Sequence, residues 1–351
     1  AAIVEELRTK IDGGADFAEL ARQNFHMLSE TTLAAGRTAD FGFLDQIPER
    51  AQLKARLTRL WNYERYSTPF KVGKNYFYSK NDGLQNQSVM YITKSATDPG
   101  RVFLDPNKLS TDGTVALSGT SFSEDGKLVA IGTATAGSDQ TEWRVMEVET
   151  GKYLDDKLEK RRQGVSSWTH DGKGFFYSAF PKANENTALR DQNYFQKLYY
   201  HKLGTPTSED VLIYERPDNK EYFVSGGLTE DGRYLIIYVS QGTRPQNMIY
   251  YKDLKTNSEV KPIFGELDAD YTMIDNVGTT FYFSTDKDAP RKRVIAVDIA
   301  NDNKISEIIP QTNETLTNIS SLNNQFVANY LKDAYTQIRI YDLKGKFVRD
   351  V

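Results

Sequence analysis

The residue types available for chemistry in this chain are limited, because its 351 residues include no cysteine and only three histidines. The absence of cysteine excludes disulfides, thiolate metal sites and a cysteine nucleophile, and leaves serine, histidine, aspartate, glutamate and lysine. A serine nucleophile needs a base within hydrogen-bond reach. The three histidines are His26, His170 and His201. Acyl transfer through a serine would require one of them, or another base, beside it.

Two short patterns have some features of ligand sites but lack the residues that would complete them. Asp268-Ala-Asp270 could begin a cation loop, but Met273 stands where such a loop needs glycine, and no glutamate follows at its last position. The segment GTATAG lacks the Gly-Lys-[Ser/Thr] ending of a phosphate-binding loop. We interpret the two aspartates as part of a solvated loop, and we expect no metal site and no cofactor.

Charge and hydropathy argue against two classes of partner. The formal net charge is −4, with acidic and basic residues interspersed, whereas nucleic-acid binding normally shows as a basic patch or stripe. The basic clusters at 160–162 and 291–293 are short and typical of solvated faces or strand ends. No apolar run approaches the roughly 20 residues that span a bilayer, and the mean hydropathy is −0.58. We expect neither nucleic acid nor membrane as a partner.

The elements that would position any site begin with a mainly helical segment of 68 residues. Residues 1–11 carry an apolar stripe of helical period, and a second short helix follows. A third helical stripe precedes Pro69 and consists of Leu53, Leu57, Leu60 and Trp61.

Beyond Pro69 the pattern changes to short alternating runs rich in Tyr, Phe, Val and Ile, which predicts antiparallel β-structure. A turn glycine or asparagine pair followed by a β run recurs every 46 to 60 residues. These turns lie at Gly73, Gly126, Gly172, Gly232, Gly278 and Asn324. Repeats of this length with four short strands are typical of propeller blades, while a β-solenoid is the alternative. We predict a mainly β fold, a β-propeller of six recognisable blades preceded by a short helical segment.

From Phe43 onward the chain resembles the prolyl oligopeptidase family of serine peptidases. The end of that family's N-terminal segment and its first blade are similar to FLDQIPERAQLKARLTRLWNYERYSTPFKVGKNYFYSKNDGLQNQSVMYI. Later blades resemble RVFLDPNKLSTDGTVALSGTSFSEDGKL, SWTHDGKGFFYSAF, QKLYYHKLGTPTSED and LTEDGRYLIIYVSQG. The resemblance predicts a helical lead-in at 43–68 and a propeller at 69–351.

The resemblance implies a serine endopeptidase whose α/β-hydrolase domain carries a Ser-Asp-His triad under a seven-bladed propeller, so that only short peptides enter and are cleaved after proline. The hydrolase serine lies in a Gly-x-Ser-x-Gly turn, which this sequence lacks; its nearest candidates are Ser121 and Ser138. His170 and His201 lie within blade repeats, and His26 precedes the resemblance. We expect no catalytic residue here, no activity of the chain alone, and a propeller truncated before its last blade.

The same resemblance suggests three residues that line the cavity above the active site of such an enzyme. They are Gln163, Phe223 and Thr243. Two of them depart from the family pattern, which often has phenylalanine at the position of Gln163 and, in some members, cysteine at that of Thr243. The alternative is that all three are ordinary loop residues at blade ends.

Residues 1–42 resemble instead the middle of a parvulin-type peptidyl-prolyl isomerase, through DFAELA and the glycine-containing loop that follows. The first and last strands of that small fold are absent, so we expect no isomerase activity. The junction near Phe43 indicates either a genuine fusion or a sequence assembled from two unrelated genes.

Together these patterns predict the substrate-gating propeller of a prolyl oligopeptidase-like endopeptidase, which meets short proline-containing peptides through a hydrolase domain. The alternative is a stand-alone propeller that binds other proteins and has no enzymatic activity. The sequence leaves both a cytoplasmic and a periplasmic location open.

Overall fold

The computed structural model describes residues 50–182 and 193–351. The first described element is a single α-helix, α1 (Arg50–Trp61), as the stripe before Pro69 predicts. Its four apolar residues are all more than half exposed, from Leu53 at 52% to Trp61 at 60%. Among the described residues, 50–66 together with Lys80–Gln85 belong to one compact unit, and Ser67–Ser79 with Asn86–Val351 belong to the other.

The remaining regular structure consists of six antiparallel sheets, here called blades 1 to 6, apart from two short 3-10 turns at Pro106–Lys108 and Thr207–Glu209. Blade 1 contains β1 (Arg65–Tyr66), β2 (Phe70–Val72), β3 (Asn75–Asn81), β4 (Val89–Thr93) and β5 (Arg101–Leu104). Blade 2 contains β6 (Val115–Phe122), β7 (Leu128–Thr135), β8 (Thr141–Glu147) and β9 (Tyr153–Arg161). Blade 3 contains β10 (Gln163–Trp168), β11 (Gly174–Ala179), β12 (Lys197–Lys202) and β13 (Val211–Glu215).

Blades 4 to 6 repeat the same four-stranded meander, in which each strand pairs with the next along the chain. Blade 4 contains β14 (Tyr222–Leu228), β15 (Tyr234–Gln241), β16 (Asn247–Asp253) and β17 (Lys261–Phe264). Blade 5 contains β18 (Tyr271–Val277), β19 (Thr280–Thr285), β20 (Arg293–Asp298) and β21 (Lys304–Ile309). Blade 6 contains β22 (Thr315–Leu322), β23 (Gln325–Lys332), β24 (Tyr335–Asp342) and β25 (Phe347–Asp350). The prediction of six β blades is confirmed.

The six turns identified from the sequence occupy equivalent places, since each joins the first pair of hairpin strands in its blade. All six turn residues adopt a left-handed backbone, with φ between +56° at Gly73 and +68° at Gly232. Glycine and asparagine tolerate this conformation best. Gly73 and Gly126 also bring two turns into contact, because a Cβ on Gly126 would lie 2.9 Å from the carbonyl oxygen of Val72.

Five apolar clusters join the blades in consecutive pairs. Each cluster is built from the facing sides of two neighbouring sheets, which explains why the central strands are apolar on both faces. Their paired members include Phe77 with Val129, Trp143 with Phe175, Leu198 with Ile237, Ile249 with Phe283, and Val294 with Phe326. Within the described residues, no buried cluster joins blade 6 to blade 1.

Polar side chains near the start of a blade's third strand bond to the first strand of the next blade. The carboxamide of Gln87 bonds to the backbone of β6 at both of its ends. The Oε1 atom of Gln196 accepts a hydrogen bond from the Val224 N–H at 2.8 Å, and Asn247 bonds to both backbone groups of Tyr271. These bonds pair backbone groups that lie outside the sheet ladders.

Several sequence predictions fall outside this description. The helices before Arg50, the parvulin resemblance at 1–42 and His26 all lie outside the described residues. In the part of the chain that the structure does describe, no helix is long and apolar enough to cross a membrane.

Candidate functional site

Phe223 and Thr243 line the same cavity at one end of blade 4. Phe223 is the second residue of β14, where it pairs with Ser240 of β15, and Thr243 lies in the turn after β15. The hairpin therefore brings residues 20 positions apart to one edge of the blade. The cavity has a volume of about 510 Å³, which falls in the usual range for small-ligand and peptide pockets. It is lined by Asn193, Tyr194, Glu221, Phe223, Gln241, Gly242, Thr243 and Arg244.

The walls of this cavity combine an aromatic surface with charged groups. The ring of Phe223 meets that of Phe180 edge to face, with centroids 5.9 Å apart, which fixes the ring at the junction of blades 3 and 4. The Oε2 atom of Glu221 accepts a hydrogen bond from Gln241 at 3.0 Å. Tyr194 lies under the ammonium of Lys220, 4.1 Å from the ring centroid. Such a surface can bind an apolar or aromatic side chain and the polar backbone beside it.

Gln163 does not belong to the lining of this cavity. Its carboxamide donates to the carbonyl oxygens of Thr141 and Glu159 at 3.0 and 2.7 Å, and its Oε1 accepts from Arg161 Nε at 2.9 Å. The hydroxyl of Thr141 in turn donates to the Gln163 carbonyl. Gln163 therefore connects blade 2 to the first strand of blade 3, and its hydrogen-bonding groups are engaged.

A buried polar chain that the sequence reasoning missed begins beside Gln163. Arg161 donates to the hydroxyl of Tyr177 at 3.1 Å, and that hydroxyl donates to Asp210 at 2.6 Å. Burial, followed by the hydrogen bond to Asp210, raises the pKa of Tyr177 far above its usual value, so the hydroxyl stays protonated. The sequence predicts the basic cluster at 160–162 on a solvated face or at a strand end, and Arg161 is the last residue of β9, where it is half-buried.

The polar chain of hydrogen bonds continues to His201, whose side chain in β12 is fully buried. Its Nδ1 lies 2.7 Å from Oδ1 of Asp210, and its Nε2 lies 3.1 Å from Oδ1 of Asp156. Both ring nitrogens are thus occupied by carboxylates, and neither is available as a base for a serine. The other described histidine, His170, is exposed in a turn and packs its ring against Gly232.

The aspartates of the Asp268-Ala-Asp270 pattern lie in the loop before β18, where Asp268 is exposed and both side chains form ion pairs. Asp268 pairs with Lys287 at 2.8 Å and also accepts from the hydroxyl of Tyr271. Asp270 pairs with Lys292 at 2.6 Å. These ion pairs connect loops within blade 5 and use the carboxylate charge that a cation would need. Within the described ranges, no group of three or more His, Asp or Glu side chains could hold a metal ion.

Comparisons with known proteins agree on one family. The sequence model described as "Prolyl oligopeptidase, N-terminal beta-propeller domain" matches residues 39–351. The prolyl endopeptidase of Elizabethkingia meningoseptica is 41% identical over 311 residues, which is 88% of this chain and 44% of that protein. Prolyl oligopeptidase A of Galerina marginata is 32% identical over 335 residues, 86% of this chain and 45% of that protein.

The structural comparison agrees with the sequence comparison. Prolyl oligopeptidase B of Galerina marginata, solved with a 35mer hydrolysis and macrocyclization substrate, superposes with a TM-score of 0.81 at 27% identity. The match covers 88% of this chain and 46% of that structure. This chain therefore spans less than half the length of the relatives that it matches.

Proposed function

Because the chain belongs to the prolyl oligopeptidase family through its N-terminal β-propeller domain, we propose that it is the gating propeller of a serine endopeptidase that cleaves short peptides after proline. The catalytic Ser-Asp-His triad of such an enzyme would belong to an α/β-hydrolase domain, and this chain would supply the wall that faces the bound peptide. The observation that carries the proposal is the cavity at the edge of blade 4, where Phe223 and Thr243 meet.

Phe223 is the anchor of the proposed peptide contact. A ring held edge to face by Phe180 is already ordered before a ligand arrives, so that little side-chain entropy is lost on binding. Thr243 and Gln241 also line the cavity and supply hydrogen-bonding groups with which the backbone of an extended peptide can pair. Gln163 lies outside this cavity and bonds to two carbonyl groups of blade 2.

A seventh blade would complete the ring in this proposal. On blade 6, Leu322 and Leu331 lie on the face opposite Phe326 and are 69% and 50% exposed. On blade 1, Val102 is 47% exposed beside Tyr91. Apolar faces of this kind are normally covered in a folded propeller. A blade between them would bury both faces and close the ring.

The apolar stripe on α1 is a candidate contact surface for the hydrolase domain. Leu53, Leu57, Leu60 and Trp61 form an exposed apolar face, and exposed apolar faces often mark sites of contact with another domain or protein. We assign this face to contact with the hydrolase domain. The predicted boundaries at 42 and 68, and the isomerase resemblance of residues 1–42, remain predictions; a proline isomerisation assay on the chain should show no acceleration.

A chimera tests the proposed function. The propeller region of the Elizabethkingia meningoseptica prolyl endopeptidase is replaced by the matching part of this chain, and hydrolysis of a short proline-containing peptide is followed. We expect the chimera to cleave after proline and the 351-residue chain alone to cleave nothing. In the chimera, Phe223→Ala should raise KM, while Val277→Ala, an exposed apolar residue of blade 5, should leave KM unchanged. A folded chimera in which Phe223→Ala leaves KM unchanged would remove Phe223 from the substrate site.

A further inference from the structure

The buried side chain of His201 lies between two carboxylates that belong to different blades. Asp156 comes from β9, the outer strand of blade 2, while His201 and Asp210 belong to blade 3. The three side chains are 6%, 1% and 2% exposed, respectively. The ring of His201 also packs against Phe175, with centroids 5.1 Å apart. The site is therefore closed to solvent on a boundary between two blades.

Hydrogen-bond accounting decides which groups carry protons here. An ionised carboxylate can only accept hydrogen bonds, and a neutral imidazole has one donor nitrogen and one acceptor nitrogen. Asp156 already accepts from the backbone N–H of Gly204 at 2.6 Å, and Asp210 already accepts from Tyr177 at 2.6 Å. In both contacts the carboxylate oxygen is the acceptor. A ring placed between two such acceptors satisfies both only when both of its nitrogens carry a proton.

The surrounding charges agree with a protonated ring. The titratable groups that face it come from β9 (Asp156), the turn before β13 (Asp210), and β11, from which Tyr177 bonds to Asp210. Arg161 at the end of β9 bonds to Tyr177 and adds a second positive charge. The two carboxylates are then balanced by the imidazolium of His201 and the guanidinium of Arg161. The polar chain of hydrogen bonds is therefore neutral as a whole, and its charges are paired.

We propose that His201 is an imidazolium cation that fastens blade 2 to blade 3 by bridging Asp156 and Asp210, and that loss of its proton releases this fastening. Deprotonation leaves one of the two buried carboxylates facing a ring nitrogen that no longer donates. An unpaired buried carboxylate is strongly destabilising. Water then hydrates the free carboxylate at the cost of contact between β9 and β12.

The direction of the pH dependence follows from the same contacts. Burial opposes the charge on the ring, but the hydrogen bonds and charges of Asp210 and Asp156 outweigh it, and the pKa of His201 is raised. A histidine whose pKa is raised in the folded state stabilises the fold fully below its unfolded-state pKa of about 6.5. That stabilisation is lost as the pH rises through the folded-state pKa. The stabilisation from the ring is therefore complete below about pH 6.5 and is lost as the pH rises through the raised pKa of His201.

The release has a consequence for Gln163, at the junction of blades 2 and 3. The polar chain runs from His201 through Asp210, Tyr177 and Arg161 to Gln163, with each step a hydrogen bond. Gln163 lies at the start of β10 and joins it to blade 2. His201 is thus a positioning residue for Gln163, and a change at the ring should alter the environment of the Gln163 carboxamide.

Nitrogen NMR of the full chain, labelled at histidine, tests the protonation state directly. The chain has three histidines, and His26→Gln and His170→Gln variants identify the His201 signals by elimination. At pH 6.5, where an unperturbed histidine is half protonated, we expect both ring nitrogens of His201 to show the shifts of a protonated ring, and to lose them only at higher pH. A His201 ring with one unprotonated nitrogen at pH 6.5 would overturn the proposal.

Urea unfolding between pH 6.5 and 9 tests the fastening itself. We expect the unfolding midpoint of the wild type to fall across this range, with each unit of raised pKa worth a tenfold change in the folding equilibrium constant. Asp156→Asn, which offers His201 an amide in place of a charge, should flatten this dependence. His170→Gln is the matched control and should keep the wild-type slope. Equal slopes in the wild type and Asp156→Asn would contradict the proposal, and if Asp156→Asn does not fold, the NMR titration decides.

Discussion

The carboxamide of Asn247 and the backbone of Tyr271 form a reciprocal pair of hydrogen bonds across the junction of blades 4 and 5. Asn247 Nδ2 donates to the Tyr271 carbonyl at 2.9 Å, and the Tyr271 N–H donates to Asn247 Oδ1 at 2.8 Å. One side chain thus replaces a missing strand neighbour for the first residue of β18. The equivalent bonds of Gln87 and Gln196 show that the device recurs at other junctions.

Asn247→Ala should destabilise the chain by about 2 to 3 kcal/mol, because it leaves a partly buried donor and acceptor of Tyr271 without partners. Chemical unfolding measures the change. Asn313→Ala, at an exposed residue with no such bonds, is the control and should stay within about 0.5 kcal/mol of the wild type. Similar losses in the two variants would mean that the reciprocal bonds contribute no special stability.

Gly126→Ala should cost more than Gly151→Ala, although both glycines have a left-handed backbone, with φ of +67° and +70°. Each substitution pays roughly 1 kcal/mol for the backbone conformation. Only at Gly126 does the new methyl group also meet a neighbouring carbonyl, that of Val72, at 2.9 Å. At Gly151 nothing lies within 4 Å. The unfolding free energies of the two variants should therefore differ by about 1 kcal/mol or more. Equal values would show that the Gly126 turn moves away from Val72 at no cost.

The blade pattern could be predicted from the sequence because the turn that opens each blade needs a particular backbone. Left-handed residues such as Gly232 and Asn324 carry their own sequence signature, and strands follow them at once. The strand period also explains why the neighbours Tyr199 and Tyr200 pack against different interblade clusters. Local pattern was enough for these features.

The polar chain around His201 could not be predicted in the same way. Asp156 lies 45 residues before His201, in a strand whose own pattern reads as a solvated edge. Only the stacking of blade 2 on blade 3 brings the two together. Gln163 was singled out through a resemblance, yet its carboxamide is engaged by backbone carbonyls, and neither its spacing nor its neighbours in sequence indicate this.

Acid should weaken the turns that share the pattern Ser/Thr-x-Asp-Gly. Their aspartates are Asp125, Asp171 and Asp231, each accepting from the hydroxyl two residues before it. The pKa of Asp125 is lowered, chiefly by Lys127, and that of Asp171 chiefly by the hydroxyl of Thr169. At Asp231 burial opposes the lowering, but hydrogen bonds from Thr229 and its neighbours prevail.

An aspartate whose pKa is lowered in the folded state stabilises the fold above its unfolded-state pKa of about 3.9. That stabilisation is lost as the pH falls through its folded-state pKa. The triple variant Asp125→Asn, Asp171→Asn and Asp231→Asn should therefore lose less stability than the wild type when the pH is lowered from 5 towards 2. Thermal unfolding as a function of pH measures this. Asp302→Asn, at an exposed residue, should follow the wild-type curve, and a triple variant that does so as well would contradict the expectation.

Gln163→Ala should act on stability rather than on substrate affinity. It removes a side chain that bonds to Thr141, Glu159 and Arg161, for an expected loss of about 1 to 2 kcal/mol. In the peptidase chimera, its KM should stay close to that of the parent, in contrast to Phe223→Ala. A raised KM with unchanged stability would place Gln163 in direct contact with the peptide.

The most direct test of the central claim is the dependence of cleavage on substrate length. The chimera should hydrolyse a short proline-containing peptide and leave an unfolded protein of domain length intact at the same proline sequence, because the propeller restricts entry. Equal rates on the two substrates, in a chimera shown to be folded, would contradict a gating role for this chain.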